Sequence, residues 1–270
     1  MDSSDRTIWT DDAALAADLV REAGQLAARM RGDGIDARHK TSSSDVVTAA
    51  DHAAEELVTS RLATARSDDG IVGEEGAARA GTSGRTWVID PVDGTFNFVQ
   101  GLDAWCSALA LTTDADARRP GDGSVALGAV HHPASGTTWV GGPGVPTTRD
   151  GVELPRIADR PLEDCAVATY LHTRWFGVPE VAEPFAAAVQ PAKVLRMVGS
   201  GSLDLAAVAD GRMDLWLHHS VPAWDWMPGC ALVEGAGGVA RQVEVRGYTW
   251  SVAGPPSAAA QVVDLLAQGG

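Results

Sequence analysis

Several features that would settle a function class at once are scarce or missing. Cysteine occurs three times in 270 residues, as Cys106, Cys165 and Cys230, with no metal-binding spacing. An odd, sparse set argues against a disulfide scaffold and for reduced thiols in a cytoplasmic setting. No apolar run reaches the roughly eighteen residues that a membrane-spanning helix needs, so no membrane partner is expected. The start, Met1-Asp2-Ser3-Ser4-Asp5, is acidic and has neither the basic nor the apolar region of a secretory leader. Positive charge is also short: 21 Lys and Arg against 36 Asp and Glu leave a net charge of −15. That balance opposes nucleic-acid binding, which needs clustered basic groups. It also conflicts with an anionic substrate, unless acidic side chains converge on divalent cations and so invert the local field.

What is present is a globular composition, 45% apolar, at a length that fits one large domain or two smaller ones. The most informative stretch is Trp87-Val-Ile-Asp-Pro-Val-Asp-Gly-Thr-Phe-Asn-Phe98. An apolar run ends at Asp90, and Pro91 blocks strand pairing at that point. Asp93-Gly94 makes a turn, and Thr95 opens the next segment. Two carboxylates three residues apart repel one another, but they suit a hard cation such as Mg²⁺. Backbone N–H groups at a Gly-Thr helix start would suit an anion beside it.

The periodicity predicts helices over Asp11 to Met30, with Thr10 as a possible cap, and over Thr48 to Leu62. Arg31 to Ser44 reads as a polar connection, and Asp114 to Gly123 as a charged surface loop. Strands are expected at Ile71 to Gly73, Trp87 to Asp90, Trp105 to Thr112, Val125 to His131 and Thr137 to Val140. Antiparallel pairs of this kind imply an α+β first half, residues 1–145. Gly141 to Arg160 is rich in Gly and Pro and is the expected seam. Strands and helices then alternate to a closing helix at Ser257 to Gln268, which implies an α/β second half, residues 146–270.

Each further candidate has a bland alternative. Glu74-Glu75 alone would be a solvated turn; beside Asp90 and Asp93 the metal-ligand reading is favoured. Asp225, between Trp224 and Trp226, would most simply cap a helix, and a cap can also be a ligand. Thr48 and Asp51 have capping-box spacing. Gly199-Ser200-Gly201-Ser202 precedes a helix and is either a substrate-facing loop or a tight turn. His131-His132 and His218-His219 are adjacent pairs, which point to opposite faces of a strand and make no zinc site.

Three segments together resemble the inositol monophosphatase family of Mg²⁺-dependent, lithium-sensitive sugar-phosphate phosphatases: Asp45 to Asp51, Gly73-Glu74-Glu75 with Trp87 to Phe98, and Trp224-Asp225 through Gly238. The resemblance implies a layered αβαβα sugar-phosphatase fold. It implies that Glu74, Asp90, Asp93, Asp225 and the Val92 carbonyl ligate Mg²⁺. Thr95 with Asp51, and Glu74 through its metal, would orient and activate the attacking water. Asp93, Gly94, Thr95, Ser200, Gly201, His218 and Asp225 would contact substrate. Two departures bear on the substrate: Phe96 replaces a small polar residue, and His218 stands where inositol-type members carry a glutamate. The expected activity is a phosphomonoesterase acting on a small polyol phosphate, first myo-inositol 1-phosphate. Histidinol phosphate and fructose 1,6-bisphosphate are the alternatives, and a catalytically silent metal-binding regulator is the non-enzyme alternative. A homodimer is implied by resemblance alone.

Overall fold

The computed structural model describes residues 3–34, 37–39, 46–113 and 125–268. Asp45, half of the expected connection from Arg31 to Ser44 and the loop expected over Asp114 to Gly123 lie outside the described residues. The first half runs α1 (Ser3–Asp33), β1 (Ala37–His39), β2 (Val46–Thr48), α2 (Ala49–Ala65), β3 (Gly70–Gly73), β4 (Ala78–Arg79), β5 (Thr86–Asp93), α3 (Thr95–Val99) and β6 (Cys106–Thr112). It continues through β7 (Val125–His132), β8 (Thr137–Gly142), β9 (Val145–Arg149) and β10 (Val152–Glu153). The second half runs β11 (Ala166–Thr169), α4 (Pro179–Val189), β12 (Val194–Met197), α5 (Gly201–Ala209) and β13 (Leu215–His219). It ends with α6 (Ala223–Gly235), β14 (Val239–Val245), β15 (Tyr248–Gly254) and α7 (Pro256–Gln268).

Strands β10-β9-β8-β7-β6-β5-β3-β4 form one sheet, antiparallel except for the β3–β5 pair. The order β12-β11-β13-β15-β14 forms the second, in which β12, β11 and β13 are parallel and β15 and β14 antiparallel. Helices α1 and α2 cover one face of the first sheet through Leu19, Val20, Val58 and Leu62. Helices α5 and α6 fill the space between the sheets through Leu205, Met227 and Leu232. On the outer face of the second sheet, α4 and α7 pack through Phe185, Val262 and Leu266. The result is a layered αβαβα molecule. Its middle helix α6 is buried nearly all round, and β6 is buried at every position, because each has protein on both sides.

Some element bounds depart from the sequence reading. α1 begins at Ser3, so Thr10 lies inside the helix and does not cap it; no Gly or Pro between Ser3 and Thr10 stops the turn. β5 continues past Asp90 to Asp93, with its pairing to β6 interrupted between those residues. Pro91 therefore sits at an irregularity and not at a strand end, as its missing N–H requires. The seam expected at 145/146 falls at the first residue of β9, and the first sheet itself ends at Glu153. β15 gave no clear signal because its hairpin turn, Arg246-Gly247, puts an arginine at φ 50° where Asn or Asp would have marked the turn.

Candidate active site

The site forms where the ends of β3 and β5, the starts of α2, α3, α5 and α6, and the end of β11 converge. Parallel pairing of Gly73 with Ile89 makes Glu74 and Asp90 neighbours at one sheet edge, as the sequence reading required. Glu74 N–H donates to the Ile89 carbonyl at 3.1 Å, which continues the ladder into the turn. Asp90 is buried, and its Oδ1 has no hydrogen-bond partner.

At the start of α2, Thr48 and Asp51 close the expected capping box. The Asp51 carboxylate then faces outward from the helix start to Thr95, whose hydroxyl lies 3.2 Å from Asp51 Oδ1 and 2.9 Å from the Val92 carbonyl. One hydroxyl proton serves both acceptors, so Thr95 holds the Asp51 carboxylate and the Val92 carbonyl at a single point. Gly94 caps α3 in the left-handed region at φ 93°. A side chain there would also lie 3.0 Å from the Ala104 carbonyl and 3.2 Å from the Gly199 carbonyl, so both backbone angle and space require glycine.

The two halves of the chain meet on Asp93. Its carboxylate accepts the backbone N–H groups of Gly201 and Ser202, so a residue of the first sheet satisfies the start of α5. Ser200 is the N-cap of α5. Asn97 reinforces the junction, donating to the carbonyls of Ala104 (2.7 Å) and Val198 (2.8 Å). Asp225 is not an N-cap: Pro222 holds that position, and Asp225 lies within the first turn of α6, where the helix dipole favours a negative charge. Asp225 Oδ2 accepts the Tyr170 hydroxyl at 2.8 Å. His218 reaches this corner through the Tyr170 ring, with centroids 3.9 Å apart.

Electrostatics mark the site more sharply than its hydrogen bonds do. Burial holds the Asp90 carboxyl well above its ordinary range, and Glu74, Asp93 and Asp225 push it further. Asp225 is raised well above its ordinary range by burial, then by Asp93 and Glu74. Asp93 is raised by burial against the opposing pull of its N–H donors, and Asp51 is raised by burial as well. Asp204, in the first turn of α5, rises to about 8 through burial and the charge of Asp93. His218 is lowered to about 3 by burial, so it is neutral near pH 7.

Among the described residues, no three acidic, histidine or cysteine side chains are drawn together tightly enough to form a closed ion site. Backbone donors hold Asp93, and a phenol holds Asp225. Even so, the donor set fits a hard cation. It is all oxygen, it contains the orphaned Asp90 Oδ1, and its members disfavour one another's ionisation until a positive charge joins them.

Asp51, Thr95, Val92, Asp90, Glu74, Asp93, Gly201 and Asp225 thus come together, with Ser200 beside them and His218 one ring away. The sequence reading missed Tyr170, Asn97 and Asp204. Tyr170 follows β11 directly, at the carboxyl end of a parallel strand, which is where α/β sheets place ligand sites. That signal becomes readable only once the strand order is known.

A family model described as the inositol monophosphatase family matches residues 9–266. An inositol-1-monophosphatase of Mycobacterium bovis is 32% identical over 249 residues, covering 86% of this chain and 81% of that protein. A histidinol-phosphatase of Mycobacterium tuberculosis is 31% identical over 233 residues, covering 84% and 86%. Among solved structures, Mycobacterium tuberculosis SuhB superposes with a TM-score of 0.78 at 27% identity, covering 97% of each chain.

Proposed function

The chain belongs to the inositol monophosphatase family, and from that premise we propose that it is a Mg²⁺-dependent phosphoric monoester hydrolase acting on a small polyol phosphate, myo-inositol 1-phosphate first. The observation that carries this reading is the meeting of four mutually destabilising carboxyls, Asp90 and Asp93 buried and Glu74 and Asp225 partly buried, with the Thr95–Asp51 pair at the start of α3. Glu74, Asp90, Asp93, Asp225 and the Val92 carbonyl would hold the cation. Bound Mg²⁺ supplies charge neutralisation and Lewis acidity for phosphoryl transfer.

The chain's own groups do the rest. Asp51, held by its capping bonds and by Thr95, is fixed to accept a proton beside the Thr95 hydroxyl, and so to orient an attacking water there. The backbone N–H groups of Gly94 and Thr95, at the start of α3, would receive phosphate oxygens. Ser200 and Gly201, tied to Asp93, border the alcohol side with Asp225 and His218. The proposal includes a homodimer, read by gel filtration with light scattering, and a reducing cytoplasmic setting in which the three buried cysteines stay thiols.

A second reading, histidinol phosphate, is favoured by one observation: His218 is neutral and lies against an aromatic ring. Such a wall lacks the anionic acceptor expected for polyol hydroxyls and suits a planar group.

The test is phosphate release from inositol 1-phosphate, histidinol phosphate and fructose 1,6-bisphosphate, with Mg²⁺ and with EDTA. Release should require Mg²⁺ and stop with EDTA. Asp93→Asn should cost on the order of a thousandfold in rate with the fold retained. Full activity in that variant would overturn the site assignment. No release from any substrate at saturating Mg²⁺ would favour the catalytically silent regulator.

A further inference from the structure

Tyr170 is a side chain that neither the family motifs nor the sequence periodicity singled out, yet it touches three parts of the site. Its hydroxyl donates to Asp225 Oδ2 at 2.8 Å. Its ring lies on His218, centroid to centroid 3.9 Å. Its edge closes on Gly201 so nearly that an added side chain there would come within 3.0 Å of Tyr170 Cε1. The sheet explains the placement. β11 and β13 run parallel with Ala168 opposite Trp216, so two residues further on Tyr170 stands beside His218 at the carboxyl ends of the strands. Trp216 adds a third ring at 6.1 Å. The phenol is therefore a rigid post: one hydrogen bond and contacts on the face and edge of its ring determine where its oxygen sits.

We infer that Tyr170 is a positioning residue for the Asp225 carboxylate, and that its hydroxyl increases the affinity of the site for Mg²⁺. The inference rests on the phosphatase reading above, in which Asp225 is a cation ligand. Asp225 shares its corner with Asp90, and the charges of Asp93 and Glu74 repel it. A carboxylate free to rotate would turn away from them. The phenol occupies one lone-pair position on Oδ2 and leaves the other positions of the carboxylate for a cation, since an ionised carboxylate has about four. Partners of metal ligands in this role typically account for a 10–100-fold effect on metal affinity.

Tyr170→Phe keeps the ring, its packing on His218 and its volume, and removes only the hydroxyl. Thermal melting of the wild type and of this variant is followed as Mg²⁺ is titrated. The expected result is a half-saturating Mg²⁺ concentration about tenfold higher in the variant. Melting temperatures without Mg²⁺ should nearly coincide, and kcat should return toward the wild-type value at saturating Mg²⁺. A merely structural tyrosine would instead lower the metal-free melting temperature and leave the half-saturating concentration unmoved, which overturns the inference. Tighter Mg²⁺ binding in the variant also overturns it, because the phenol would then compete with the cation. A wild type that does not respond to Mg²⁺ overturns the phosphatase reading and this inference with it. A responsive wild type with an unmoved variant overturns the role of Tyr170 alone.

Discussion

At the scale of single residues, the site depends on atoms that cannot be exchanged for near relatives. Gly94 must combine φ 93° with a carbonyl lying 3.0 Å from where a side chain would begin. Gly94→Ala is expected to cost about 1–3 kcal/mol and a few degrees of melting temperature, with activity falling further as the Thr95 hydroxyl shifts from Asp51. An unchanged melting curve and unchanged phosphate release would show that the turn relaxes freely. The glycine, Asp90, Asp93 and Thr95 were all legible as a motif, because a metal turn needs those residue types consecutively along the chain. Tyr170 was not, since a lone tyrosine after a strand carries no periodic or compositional signal, and Asn97 stood inside the motif without any sign of what it would hold. Their partners, Asp225 and the Val198 carbonyl, are 55 and 101 residues away.

At the scale of elements, α2 serves the site twice. Asp51 in its first turn meets Thr95. Glu55, one turn on and on the same face, accepts the N–H groups of Glu75 and Ala77, both at 2.8 Å, and so braces the turn that carries Glu74. Gly73 lets the two elements close, since any side chain there would collide with the Glu55 carboxylate. Glu55→Gln retains only one acceptor oxygen for two donors. It should lower stability by about 1–3 kcal/mol, read from the urea midpoint, and an unmoved midpoint would show that the brace contributes nothing. The capping box at Thr48 was visible from spacing alone, because it is local. The Glu55 brace was not, because it links a helix to a turn some twenty residues later.

At the scale of the whole molecule, burial of titratable groups sets the response to pH. Burial, and then the charge of Arg21, lowers His131 from 6.5 to about 4. The unfolded chain therefore binds this proton first. The stability it confers is present above about pH 6.5 and is lost as pH falls through the window down to about 4. A displacement of this size corresponds to roughly 3 kcal/mol. His131→Gln, which cannot take up the proton, should flatten the decline in melting temperature between pH 7 and pH 4.5. An equally steep decline in the variant would assign the acid limb to other groups, among them His219, which burial lowers to about 4.

The layered arrangement was legible in outline for a simple reason. Antiparallel hairpins in the first half and alternating strands and helices in the second are repeated local patterns of hydrophobicity, and such patterns survive without knowledge of neighbours. The acidic turn, the capping box and the glycine at the start of α3 are likewise short-range chemistry. Three-dimensional packing alone settled that the start of α5 is satisfied by Asp93, that a phenol holds Asp225, and that α6 is enclosed between two sheets. Those outcomes depend on long-range contacts, whose strength comes from excluding water between surfaces that no stretch of chain contains whole.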